Sequence, residues 1–193
     1  KNHDKNITSK EKILTLDPNT INEITQHIPS LPEKRYLLAT LITRALHCIN
    51  IQPNTIIYND ASISQTALHL EMLLAPYILL DLNYHPSMNI SETALLLYRQ
   101  LLYGPKKTPF AKDIYYRHQG LDREHLHTLW VLSINSSPLK LSHQPPVALT
   151  LHPKTLRLTI QYINDTDVEE QVERFLSCLQ ADIQTNKEQQ PCY

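Results

Sequence analysis

Two histidines spaced two apart, His125 and His127, come nearest to chemistry in this chain. On a strand, residues two apart share a face, so both imidazoles can reach one metal ion. A third ligand would have to come from His118, Asp122 or Glu124. An isolated His-x-His pair is a weak signal, and two boundary histidines at the start of a strand give the same pattern. No metal and no other cofactor is therefore expected. His47 and Cys48 are a thiol–imidazole pair in sequence only. Adjacent helical residues point about 100° apart, so the two do not converge on one atom. Cys48 reads as a buried structural thiol in an apolar helix.

Paired carboxylates for acid–base work would be Glu71 with Asp81, or members of the acidic run from Asp165 to Glu170. The run is better explained as helix capping, because acidic groups stabilise the positive end of a helix dipole. Glu71, on an apolar helix, is either a buried carboxyl with a raised pKa or the mark of the helix's one wet stripe, beside Gln65 and His69.

The segment 106–123 is the best interaction candidate. Lys106, Lys107, Lys112, Tyr115, Tyr116, Arg117 and Arg123 interleave basic and aromatic groups. Tyr and Arg bury area while keeping a polar tip, which makes binding hot spots. The same mixture suits nucleic acid. Asp113, Asp122 and Glu124 dilute the charge, so a protein surface of acidic character fits better. A solvated loop and short helix whose tyrosines pack on the core is the competing structural reading.

Composition narrows the classes. The chain has 193 residues, 41% hydrophobic and 19% charged, with a formal net charge of -1. That suits one folded domain and gives no global field toward nucleic acid or anionic lipid. Only two glycines occur, Gly104 and Gly120. Phosphate-cradling loops use several glycines so that backbone can approach the ligand. Walker, dinucleotide and kinase glycine loops are thus excluded, as is a GxSxG nucleophile elbow. The three cysteines, Cys48, Cys178 and Cys192, are far apart in sequence and form no CxxC pair, which favours a reducing compartment. Residues 1–12 are polar and hold no apolar signal-peptide core. The most apolar stretch, 67–82, is too short and too charged to span a bilayer.

The elements follow from periodicity and punctuation. Asp17 caps a first helix, with Pro18 at its first position and Leu16 stapled to Ile21. Ser30 and Glu33 form a capping box for a second, whose apolar stripe is Leu38, Leu41, Ile42, Ala45, Leu46 and Ile49. Residues 55–58 read as a short edge strand or an extended link. A third helix, capped by Asp60, is apolar nearly all round over 67–74, which predicts a central buried helix that Pro76 kinks or ends. Asn89 with Glu92 opens a fourth helix that stops at Gly104 and Pro105. Residues 109–119 suggest a short helix and 127–135 a strand. Val147, Leu149 and Leu151, then Leu156, Leu158, Ile160 and Tyr162, alternate with polar or small neighbours around a turn at 152–155, which predicts a hairpin with one apolar face. A last helix carries Val168, Val172, Phe175, Leu176, Leu179 and Ile183 on one stripe, with Thr166–Glu169 or Asp167–Glu170 as its capping box.

Segregated helices and strands predict an α+β architecture. An N-terminal helical bundle-like layer packs on a small antiparallel sheet, closed by a C-terminal helix. Residues 1–12 form a flexible leader and 185–193 a flexible tail. Residues 13–184 form one domain, its helical part about 13–120 and its sheet plus closing helix about 121–184. The profile resembles adaptor- or chaperone-like subunits of larger bacterial assemblies, such as secretion systems, in composition alone. The expected function is a non-catalytic protein-interaction subunit, soluble and cytoplasmic. The alternatives are a small enzyme with a histidine-centred, metal-dependent or metal-free site, and nucleic-acid binding through 106–123.

Overall fold

The computed structural model describes residues 8–26, 34–50, 55–60, 77–82, 85, 88–103, 130–134 and 144–188. In chain order these form β1 (Ser9–Thr15), α1 (Pro18–Gln26), α2 (Lys34–Cys48), β2 (Thr55–Asp60), β3 (Ile78–Asp81), α3 (Ile90–Tyr103), β4 (Val131–Ile134), β5 (Val147–His152), β6 (Arg157–Ile163) and α4 (Thr166–Glu188). The strands make one six-stranded sheet in the order β1-β6-β5-β4-β2-β3. It is mixed: β2, β4 and β5 run parallel, and the remaining pairs are antiparallel.

The hairpin follows from alternation. Val147 faces Tyr162, Leu149 faces Ile160 and Leu151 faces Leu158 across β5 and β6. All six are buried on the same face of the sheet. The turn occupies 153–156, one residue later than the sequence suggests. Leu156 takes a φ of 52°, a left-handed conformation that is costly for a branched side chain. It is held there because its side chain is buried and its carbonyl accepts the Leu16 N–H at 2.8 Å.

The four helices among the described residues lie on one face and share a single apolar core with it. Asp17 caps α1, accepting from the Thr20 backbone N–H at 3.0 Å and from the Thr20 hydroxyl at 2.7 Å. Asn89 and Glu92 cap α3 reciprocally, each side chain accepting the other's backbone N–H at 2.9 Å. For α4 the cap is Asp165, whose carboxylate takes the N–H groups of Asp167 at 2.9 Å and Val168 at 3.3 Å. It fits there because a cap residue sits before the first helical turn, whereas Thr166 and Asp167 already lie inside it.

Several expectations are corrected. The sheet is neither small nor purely antiparallel, and the expected helical layer packs on one of its faces without forming a bundle. Residues 9–12, expected in a leader, are strand, because β1 pairs along β6 through seven registered positions. Their lysines reach α4: Lys10 donates to Glu169 at 2.6 Å and Lys12 to Glu173. The last helix runs on to Glu188, past the expected start of a tail. Residues 55–58 belong to an interior strand, with β4 on one side and β3 on the other. The edge at that end is β3, which the sequence concealed within an apolar stretch. Gln100 of α3 occupies its open side, accepting the Asp81 N–H and donating to the Asp81 carbonyl, both at 3.2 Å. That amide stands in for a neighbouring strand.

Among the described helices α2 is the central one. Leu37, Leu38, Ala39, Leu41, Ile42, Ala45 and Leu46 are at most 1% exposed. Its buried hydroxyls are satisfied locally, Thr40 donating to the Tyr36 carbonyl and Thr43 to that of Thr40. The helix expected at 67–74 and the capping box Ser30–Glu33 lie outside the described residues. Among the described residues no helix is long and apolar enough to cross a membrane.

Candidate functional site

The two faces of the sheet differ in chemistry. On the helix face, in-register positions carry apolar groups: Ile78, Tyr58, Leu132, Leu149 and Ile160 form one continuous row. On the second face the register aligns Asn59, Ser133, Thr150 and Thr159 across β2, β4, β5 and β6. Asn59 and Ser133 are each only 2% exposed, while Thr150 and Thr159 are half-buried. Ile57 and Val131, one step earlier on the same face, are buried too. The second face is therefore covered at its centre and opens toward β6.

This row lies near the carboxyl ends of the three parallel strands, one residue short of the end of both β2 and β4. Open α/β sheets bind ligands outside the carboxyl ends of parallel strands, where backbone and side-chain polar groups converge. A buried amide beside a buried hydroxyl supplies hydrogen-bond donors and acceptors in a dry setting, where such bonds are strong. Neither group is a proton carrier at neutral pH. Neither the amide nor the hydroxyl can by itself act as general base.

A second feature is an open groove of about 460 Å³ between the end of α2 and the outer side of α4. Cys48, Ile49, Asn50, Glu170, Glu173, Arg174, Ser177 and Cys178 line it. Asn50 ends α2 in a left-handed conformation, φ 52°, which asparagine tolerates better than most residues. The thiols meet here: Cys178 donates to the sulfur of Cys48 at 3.0 Å. Burial, followed by the contact with Cys48, pushes the Cys178 thiol up to about 11.

Arg44 ties the helical layer together. Its Nε and Nη2 hold the Asp182 carboxylate of α4 at 3.0 to 3.2 Å. Its Nη1 donates to the Met88 carbonyl at 3.0 Å and to the Thr93 hydroxyl at 3.2 Å, at the start of α3. One planar fork thus fixes three helices.

The sequence candidates separate accordingly. His118, Asp122, Glu124, His125, His127 and the whole of 106–123, with Lys106, Lys107, Lys112, Tyr115, Tyr116, Arg117 and Arg123, lie outside the described residues. Glu71 does as well. Asp81 sits exposed on the edge strand β3, its backbone engaged by Gln100. The acidic run is divided between the cap Asp165 and the ion-paired Glu169. Among the described residues no three His, Cys, Asp or Glu side chains cluster as a metal site. Asn59 and Ser133 escaped sequence reasoning because polar residues inside short apolar runs carry no motif. Cys178 carried only one hint, its place beside the apolar stripe of the last helix; its partner is 130 residues away.

No protein-family model matches the chain, and no curated protein matches it in sequence. Solved structures do match. The cyclization-docking bidomain of the EpoB non-ribosomal peptide synthetase from Sorangium cellulosum aligns at a TM-score of 0.61 and 11% identity, over 93% of this chain and 42% of that one. The PapA2 acyl transferase aligns at 0.62 and 13% identity, over 94% of this chain and 45% of that one. The wax ester synthase/diacylglycerol acyltransferase from Marinobacter aquaeolei aligns at 0.59 and 11% identity, over 94% of this chain and 50% of that one. The chain thus spans half or less of the length of these structures. The expectation of a non-enzymatic adaptor- or chaperone-like subunit is overturned by these matches. That expectation rested on missing local motifs, and a fold assembled from distant strands leaves none. In fold, this chain is similar to condensation and acyltransferase domains.

Proposed function

We propose that this chain is part of an acyl-transferring enzyme of the condensation type. An activated acyl group, carried as a thioester, passes to the amine or hydroxyl of an acceptor. The new amide or ester C–N or C–O bond forms, the thioester C–S bond breaks, and the acceptor's proton leaves with the released thiol. The observation that carries this reading is the fold shared, over more than nine tenths of the chain, with a cyclization domain, an acyl transferase and a wax ester synthase. Within it, Asn59 and Ser133 are assigned to positioning. Their row would position an acyl carbonyl by hydrogen bonding, and its register-aligned residues Asn59, Ser133, Thr150 and Thr159 include no imidazole or carboxylate with which to move a proton.

The same proposal includes a protein partner of acidic character, such as a carrier, met by the basic and aromatic segment 106–123. It also includes a cytoplasmic setting, in keeping with three cysteines that lie far apart in sequence and form no CxxC pair.

The test is an acyl-transfer assay on the full protein that contains this chain. A medium-chain acyl thioester is offered with a panel of primary amines and alcohols, and thiol release and acceptor mass are followed. Transfer above the heat-denatured control, reduced roughly tenfold in Asn59→Ala with its circular dichroism unchanged, supports the assignment. Absence of transfer, together with no thioester binding by calorimetry, would remove it.

A further inference from the structure

Cys48 ends α2 and Cys178 lies in the middle of α4, yet their sulfurs are 3.0 Å apart and both are free thiols. A disulfide needs about 2.05 Å between sulfurs, so the pair must approach by only about 1 Å. Cys48 is exposed, and both residues line the open groove, so a small reagent reaches them from solvent. Nothing in the acyl-transfer reading uses them. The two elements they join are the central helix and the long closing helix, which otherwise meet through core packing and the Arg44–Asp182 ion pair.

We propose that Cys48 and Cys178 are a redox-modification site, closing to an intrachain disulfide by exchange with a low-molecular-weight disulfide such as oxidised glutathione. The Cys48 thiolate attacks one sulfur of that disulfide. Its S–S bond breaks, a Cys48 mixed disulfide forms and one small thiolate leaves. Cys178 then loses its proton and attacks the Cys48 sulfur, expelling the second small thiol. Two protein thiols are oxidised by two electrons, and one small disulfide is reduced to two thiols. Cys48 is the attacking group because it is exposed, and Cys178, packed against the core, is the resolving one. Closure staples the end of α2 to α4 at the groove.

The cysteines fall in separate tryptic peptides, 45–99, 175–187 and 188–193, so connectivity is directly readable. The folded, full protein is equilibrated with oxidised glutathione, its free thiols are alkylated, and the non-reduced digest is analysed by mass spectrometry. The expected result is a linked 45–99/175–187 pair 2 Da lighter than the sum of its peptides, lost on adding dithiothreitol. The oxidised protein is also expected to melt several degrees higher, a shift that Cys178→Ser abolishes while keeping the reduced protein's melting temperature. Retention of free Cys48 and Cys178 thiols, a stable Cys48–glutathione adduct that never resolves, or linkage chiefly through Cys192 or between molecules would each overturn the proposal.

Discussion

The β5–β6–α4 unit and the central β2–β4 pair are built on opposite principles. In the first, neighbouring strands are neighbours in sequence, and one face is at least partly wet. Burial alternates along β5, with Val147, Leu149 and Leu151 buried between more exposed neighbours. In the second, Val131, Leu132, Ser133 and Ile134 are all buried, and the partner strand lies more than 70 residues earlier. A parallel strand covered on both faces shows no alternation. The polar row with Asn59 and Ser133 sits in the second region, where a buried amide and hydroxyl are most consequential and least visible. The chemically suggestive part of this fold is thus the part without a local pattern.

The largest expected effect comes from striking the joint between the two regions. Phe175 of α4 is fully buried and meets Trp130, at the threshold of β4, edge to face at 5.8 Å. Phe175→Ala should cost about 3–5 kcal/mol in urea unfolding, since both the transfer energy and the cavity are lost. If the central pair is as dependent on α4 as this contact implies, amide exchange at Leu132 should accelerate along with global unfolding. Exchange confined to α4 would make the regions more independent than their shared core suggests.

Next comes the helical layer alone. Arg44→Met keeps the aliphatic stem but removes the fork, leaving Asp182 partly buried without its cation. A loss of about 2 kcal/mol is expected, less than for a fully buried pair because both side chains keep some solvent. Arg44→Lys should recover only part of it, because an ammonium cannot hold Asp182, Met88 and Thr93 in one plane. Full recovery by lysine would reduce the interaction to charge.

A smaller effect belongs to the C-terminal unit. Asp165→Ala removes the α4 cap and should lower stability by about 1 kcal/mol. Helicity measured by circular dichroism should fall only slightly, since the buried stripe still holds the helix. The smallest effect is at the surface. The Lys10 ammonium beside Glu169 holds that carboxyl below its usual range. A carboxylate with a depressed folded pKa stabilises above its unfolded value and loses that stabilisation as pH falls through the folded one. The melting temperature should therefore drop slightly more below about pH 4.5 in the native protein than in Lys10→Ala, and 1 M salt should shrink the difference. An identical pH profile in the two proteins would show that the pair contributes nothing measurable.

What the sequence determined by itself was local. Asp17 and Pro18 set the start of α1, Asn89 and Glu92 that of α3, and the alternation of 147–162 set the hairpin but not its register, since the turn falls one residue later than the pattern suggests. Each signal acts within a few residues, through a cap's reach or a strand's two-residue period. Tertiary structure decided the rest. It turned four polar residues into strand β1 by offering them an open edge of β6, and hid β3 and the buried polar row inside apolar runs. It also brought Cys48 against Cys178. Contacts between residues so far apart depend on which surfaces the completed core places side by side, and neither spacing nor composition encodes that choice in readable form.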